Sequence, residues 1–193
     1  MGPSGSGKST LLTILGCLNP PTSGTIIIDE VDIYKLNSER RADFRSTYIG
    51  FVFQQFHLIP YLNAAENVML PLAISNKSKE EQRELAKKVL GKVGLGNKME
   101  RLPNQLSGGE QERVAIARAI VNQPPIIFAD EPTGALDTKT SEEIMDLFRQ
   151  LNSEGLTIIM VTHNKENLKY VRRAVFIRDG LVEKEEQYPK KTS

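Results

Sequence analysis

Apolar and polar residues along the chain alternate between a helical and an extended period. Residues 9–18, STLLTILGCL, place Leu11, Leu12, Ile14, Leu15 and Leu18 on one stripe of a helix that would lie on a sheet. The following NPPTSG stops it, because two prolines and a glycine cannot extend a helix. TIIID (25–29) and IGFVF (49–53) are short runs rich in β-branched and aromatic residues and predict strands. From Ser78, SKEEQRELAKKVLGKV opens with a capping box, Ser78 with Glu81, and carries a stripe through Leu85, Val89 and Val93. PPIIFAD (124–130) and LTIIMVTH (156–163) are almost wholly apolar, the pattern of strands buried on both faces of a parallel sheet. Between them, TKTSEEIMDLFRQLNSEG predicts an amphipathic helix with Ile144, Leu147, Phe148 and Leu151 inward and Gly155 at its end. AVFIRDGLVEK predicts a hairpin around Asp179-Gly180, and the polar EEQYPKKTS a frayed tail. This alternation of strands and helices predicts an α/β fold with a parallel core sheet.

Composition narrows the picture without redirecting it. With 193 residues, 39% apolar and 25% charged, the chain is long enough for one domain with a real core, taken here as 1–193. Lys and Arg total 25 against 24 Asp and Glu, so no overall charge draws the chain to nucleic acid or anionic lipid. One cysteine, Cys17, excludes an internal disulfide and fits a reducing compartment. No apolar run approaches the roughly 20 residues of a membrane-spanning helix.

Candidate chemistry lies where strands meet helices. Gly2 to Ser9 fits G-x-x-x-x-G-K-[ST], in which glycines let backbone N–H groups converge on phosphate oxygens. Lys8 would serve the β- and γ-phosphates, Ser9 a Mg²⁺ ion, and the positive end of the next helix points at the same place. The bland alternative is a Gly/Ser-rich turn. IIFADEP carries Asp130 to the end of a buried strand, where a carboxylate can hold Mg²⁺, with Glu131 next to it and able to activate water. Two solvated acids at a loop start are the alternative there. LSGGEQERVAIARAI sets Ser107, Gly108 and Gly109 at the tip of a helix whose apolar face includes Val114, Ala117 and Ile120. That tip is either a second anion cradle or a plain serine N-cap. Two cradles in one chain make sense if each nucleotide is gripped by two chains head to tail. His163 follows TIIMVT at the carboxyl end of a predicted strand, which delivers it to the phosphate side, whereas His57 in QQFHLIP reads as an ordinary surface or core histidine.

The ordered set GPSGSGKST, VFQQ, LSGGE, IIFADEP, ALD and VTH resembles the ATP-binding-cassette ATPases over essentially the whole chain. That resemblance implies a P-loop NTPase fold with a helical subdomain inserted at approximately 56–122. It implies ATP and Mg²⁺ as ligands, with Gly2, Pro3, Ser4, Gly5, Ser6, Gly7, Lys8, Ser9 and Thr10 as the phosphate loop. Gln54, favoured by register over Gln55, would touch metal and water; Ser9 and Asp130 would serve the metal; Glu131 and His163 would serve the attacking water. Ser107, Gly108, Gly109 and Asp137 would meet the nucleotide or the seam of a second copy. The family's signature usually ends in glutamine, and here it ends in Glu110, where an acid suits a helix start.

More narrowly, IGFVFQQFHLIPYLNAAENVMLPL and NQLSGGEQERVAIARAI resemble ATPases of lipoprotein-release and macrolide-export transporters. This implies a cytoplasmic subunit on the inner face of a membrane. It would be a homodimer or pseudo-symmetric dimer that drives a separate permease and has no nucleic-acid partner. Rival readings are a cassette acting in DNA repair or translation, which usually carries a coiled coil or second cassette, and a small P-loop kinase, which needs no LSGGE. In the family a strand delivers the first loop, and no such strand precedes Gly2. The expectation is therefore a fragment or a misplaced start, with weak ATP binding and a tendency to aggregate when expressed alone.

Overall fold

The computed structural model describes residues 1–189. In chain order it comprises α1 (Lys8–Leu15), β1 (Ile27–Ile28), β2 (Val31–Asp32), α2 (Ser38–Tyr48), β3 (Ile49–Val52), α3 (Ala64–Met69), α4 (Lys79–Lys92) and α5 (Gly108–Ile120). There follow β4 (Ile126–Asp130), α6 (Thr138–Ser153), β5 (Thr157–Val161), β6 (Arg173–Arg178) and β7 (Leu181–Gln187).

The core sheet runs β3-β4-β5, all parallel, with Ile49 opposite Ile126 and Asp130 opposite Val161. Parallel neighbours need long crossovers; here α3 to α5 join β3 to β4, and α6 joins β4 to β5. All three strands therefore end on one side of the sheet, and Gln54, Glu131 and His163 each follow a strand end by one or two residues. Side-chain alternation divides the core. Ile127 and Ala129 face a large cluster with α3, α4, α5 and α6, while Phe128 faces a smaller one with Leu12, Ile33, Phe44 and Val161. The predicted capping box of Ser78 with Glu81 starts α4, and Val114, Ala117 and Ile120 of α5 are buried as expected.

Four expectations are corrected. β5 is not buried on both faces: Thr157 is exposed and Ile159 keeps 36% of its surface, and among the described residues β5 is an edge strand that pairs only with β4. The stripe of α1 is narrower than its sequence suggests. Leu12 is buried, but Leu11 is exposed and Leu18 lies beyond the helix end at Leu15. The strand expected at 25–29 shrinks to β1, which turns back onto β2 through Asp29 and Glu30, at φ 50° and 64°. Two successive left-handed residues make a tight two-residue hairpin. Part of the expected frayed tail is ordered: Glu185, Glu186 and Gln187 belong to β7 and pair with β6, and residues 190–193 lie outside the described residues. The predicted turn of that hairpin is at Asp179-Gly180, φ 49° and 78°.

Candidate nucleotide site

The opening loop wraps into a cradle because its glycines take backbone conformations other residues avoid. Gly5 has φ 78°, and Gly7, at φ 89°, is the N-cap of α1 with no side chain capping the helix. The first amides of α1 consequently have no intrahelical acceptor and point out of its positive end. A Cβ on Gly2 would sit 2.0 Å from the Ile177 carbonyl oxygen, so the loop lies directly against β6. The hairpin holds it there: Ile177 N–H donates to the Met1 carbonyl at 2.7 Å, and Gly180 N–H to that of Ser6 at 3.3 Å. The Met1 ammonium donates to the Val175 carbonyl at 2.6 Å; partial burial, and then the charge of Lys8, lower its pKa. Lys8 is buried and donates to the Pro3 carbonyl at 2.7 Å. Ser9 Oγ donates to Asp130 Oδ1 at 3.0 Å, joining the loop to the end of β4.

Around this loop lies a cleft of about 1100 Å³. It is lined by the loop from Met1 to Thr10 apart from the buried Ser6, together with Gln54, Glu131 and His163. Glu131 occupies the left-handed region, φ 45°, a strained position for a non-glycine residue. Its backbone N–H donates to the Val161 carbonyl at 3.0 Å, and its own carbonyl accepts from Gly134 N–H at 2.9 Å. Its Oε1 accepts from the backbone N–H of His163 at 2.9 Å and lies 2.8 Å from His163 Nδ1. Gln54 reaches over the same turn, since a Cβ on Gly134 would lie 3.3 Å from Gln54 Nε2. Gln55 is not among the lining residues. His57 sits away from the cleft, its ring 5.0 Å from that of Phe53.

The Ser107-Gly108-Gly109 helix tip lies at another place on the molecule. Ser107 is the N-cap of α5 in a reciprocal box with Glu110: Glu110 N–H donates to Ser107 Oγ at 3.3 Å, and Ser107 N–H to Glu110 Oε2 at 2.9 Å. Pairing with Lys98, and then the Ser107 amide, hold the Glu110 carboxyl below its ordinary range. Asp137 caps α6, accepting from Thr140 N–H at 3.0 Å and Thr140 Oγ1 at 2.6 Å; these bonds lower its pKa. A Cβ on Gly109 would lie 2.3 Å from Thr140 Cγ2, so Asp137 and the Ser107-Gly108-Gly109 tip are neighbours. None of these four residues lines the cleft of the same chain.

Sequence reasoning missed the cleft's outer wall. Phe176, Arg178, Glu183 and Lys184 come from the β6–β7 hairpin, and Lys165 from the turn after His163. Lys184 Nζ stands 4.4 Å from the Phe176 ring centre. The hairpin was legible, but nothing in its residues indicates that it folds onto the opening loop. Among the described residues no group of three or more His, Cys, Asp or Glu side chains could hold a metal by itself. No helix among them is long and apolar enough to cross a membrane.

Known proteins share both the order of these elements and their arrangement. Residues 1–134 match the family described as ABC transporter. The uncharacterized ABC transporter ATP-binding protein YknY of Bacillus subtilis is 57% identical over 182 residues, 94% of this chain and 79% of that protein. The macrolide export ATP-binding/permease protein MacB of Syntrophobacter fumaroxidans is 52% identical across 96% of this chain, which corresponds to 26% of MacB. The ATP-binding cassette MJ0796, solved as a dimer in a post-hydrolysis state bound to ADP and Pi, aligns at a TM-score of 0.87 with 49% identity. That alignment covers 97% of this chain and 83% of the MJ0796 chain, a protein of Methanocaldococcus jannaschii. The chain therefore belongs to the ABC transporter family, with the α/β nucleotide-binding fold of an ATP-binding cassette.

Proposed function

We propose that this chain is the ATP-hydrolysing subunit of a transporter, working at the cytoplasmic face of a membrane. Two copies close head to tail over ATP and drive a separate integral-membrane permease. One observation carries the chemistry: Glu131, its Oε1 bound by the amide and ring of His163, lies in one cleft with the phosphate loop. Gly2 to Thr10 take the phosphates, with Lys8 turning from the Pro3 carbonyl toward phosphate oxygens. Glu131 accepts a proton from the attacking water. His163 keeps that carboxylate oriented through Nδ1–H, which leaves Nε2 to face the γ-phosphate.

The neighbouring Ser9 hydroxyl and Asp130 carboxylate are hard oxygen donors at 3.0 Å from one another, a donor set that fits Mg²⁺. Ser9, Asp130 and Gln54 would hold the ion, which when bound would neutralise charge on the β- and γ-phosphates. Ser107, Gly108, Gly109 and Asp137 meet the nucleotide held by the other copy, which accounts for a helix-tip cradle outside the chain's own cleft. Residues 56–122 form the inserted helical subdomain. A hollow beside it, lined by Phe53, His57, Leu70, Pro71 and Ile74, is the receiving surface for the permease. Transport is favoured over DNA repair or translation by the relatives, which are named as transporter ATP-binding proteins and, for MacB, carry a permease in the same chain.

The test measures ATP turnover with and without membranes containing the permease. Turnover should rise with those membranes and not with DNA or ribosomes; the opposite pattern rejects the transport reading. Glu131→Gln should cut turnover about 100-fold or more while ATP still binds, whereas Lys8→Ala should weaken binding itself. Ordinary turnover by Glu131→Gln rejects the catalytic assignment.

A further inference from the structure

Two residues past Gln54, the chain makes a turn that its side chains oppose. Phe56 and His57 both lie in the left-handed region, at φ 59° and 48°. Bulky non-glycine residues rarely adopt that conformation, and two in succession even less often. His57 N–H closes the turn onto the Gln55 carbonyl at 2.5 Å, and Phe56 N–H reaches the Phe53 carbonyl at 3.0 Å. Such local bonds do not explain why the loop stays there, because a relaxed backbone can make equivalent ones with water.

The missing restraint comes from α5. Arg118 extends its planar fork over the turn, donating from one terminal nitrogen to the His57 carbonyl at 2.6 Å and from the other to the Phe56 carbonyl at 2.7 Å. Two parallel charge-assisted bonds to successive carbonyls fix orientation as well as position, which a lysine's single ammonium cannot do. The next residue, Ala119, lies against β3, where a Cβ on Gly50 would come within 2.3 Å of its carbonyl oxygen, so the clamp stands on a rigid base. The opposite end of the same helix is the Ser107 tip.

We propose that Arg118 is a positioning residue of the ATP site: from within the helix that bears the Ser107 tip, it holds the Gln54 loop in its two-residue left-handed turn. Gln54 thereby takes its station over the Glu131 turn only while α5 is in place. The start of α5 also meets this turn, since a Cβ on Gly108 would lie 4.0 Å from the Phe56 ring, but only Arg118 bonds to its carbonyls. The inference rests on the ATPase reading above, and the experiment separates the two.

In the full chain, assayed both with and without its permease because Arg118 and His57 also line the hollow assigned to it, Arg118→Met should lower kcat about tenfold in both cases, the scale of released turn strain, with KM for ATP little changed. Arg118→Lys, which keeps the charge but not the fork, should fall nearly as far. Adding Phe56→Gly and His57→Gly to Arg118→Met removes the steric objection to the turn and should restore part of kcat. A merely structural role predicts instead a lower melting temperature, ordinary kcat per folded molecule, and no rescue by glycine. Glu131→Gln run alongside tests the underlying reading: if it turns over normally, that reading fails. If it is inactive while Arg118→Met keeps ordinary kcat, or glycine gives no rescue, the Arg118 inference alone is overturned.

Discussion

Glu112 lies on α5 with none of its surface exposed and neither carboxyl oxygen hydrogen-bonded among the described residues. Burial pushes its pKa up to about 8, with Arg118 pulling weakly the other way. An unfolded glutamic acid releases its proton near 4.5, so between that pH and about 8 the native chain binds one more proton than the unfolded one. Stability from this residue is therefore fully present below 4.5 and is lost as pH rises through about 8, by an amount on the order of a few kcal/mol. Glu112→Gln removes the titration. Urea midpoints of the wild type should fall from pH 5 to pH 8.5 relative to those of the variant, which should be the more stable protein at the alkaline end. Parallel curves for the two proteins would show that Glu112 stays ionised in the fold. Neither Glu112 nor Arg118 could be singled out from the sequence. Glu112 sits in the charge-rich first half of α5 and Arg118 in its last turn, polar residues whose burial the sequence does not reveal.

Packing between elements brings α5 close across β3, and the closest approach is at Gly50. A Cβ there would lie 2.3 Å from the Ala119 carbonyl oxygen, a backbone atom that cannot swing aside. Gly50→Ala should destabilise the fold by about 1–3 kcal/mol in urea titrations, the cost of overpacking. Ala119→Gly should not rescue it, because the obstructing oxygen remains; full rescue would mean that the Ala119 methyl is the true obstacle. The sequence announces Gly50 only as a glycine inside an apolar strand, a sign of close approach without the identity of what approaches. Other elements were more legible. Period-3.6 stripes gave α4, α5 and α6 with their inward faces, since those faces are buried within this chain. Where a run has no neighbour on one side, as for β5 and for Leu11 of α1, the same apolar pattern overstates burial. Asp130, Glu131 and His163 are legible because each falls at the end of a strand-like run, and the phosphate loop because its glycines and Lys8 form a pattern of their own. The hairpin wall with Phe176 and Lys184 is not, because its contact with the loop is purely tertiary.

At the scale of the whole molecule, the chain carries a cleft around the phosphate loop and, away from it, the Ser107-Gly108-Gly109 helix tip, which takes no part in the chain's own cleft. Packing within the chain accounts for its glycines, since a Cβ on Gly109 would lie 2.3 Å from Thr140 Cγ2 and one on Gly108 3.3 Å from Leu136 Cδ2. The case for a second role rests on the tip standing apart from the chain's own cleft. A head-to-tail pair uses both features twice and closes on itself, so association ends at two copies. ATP is then bound tightly only in the paired state, and binding and pairing become one equilibrium. Cys17 is the sole cysteine and is 1% exposed, so paired cysteines can be introduced with little background. With Ser4→Cys and Ser107→Cys in a Glu131→Gln chain, mild oxidation should yield covalent dimers when ATP is present. ADP or no nucleotide should yield few, and either single-cysteine variant should yield none with this bond. Dimers that form equally without ATP would detach pairing from nucleotide binding. Their absence with ATP bound would leave the Ser107 tip as a helix cap whose glycines serve only its packing on Thr140 and Leu136.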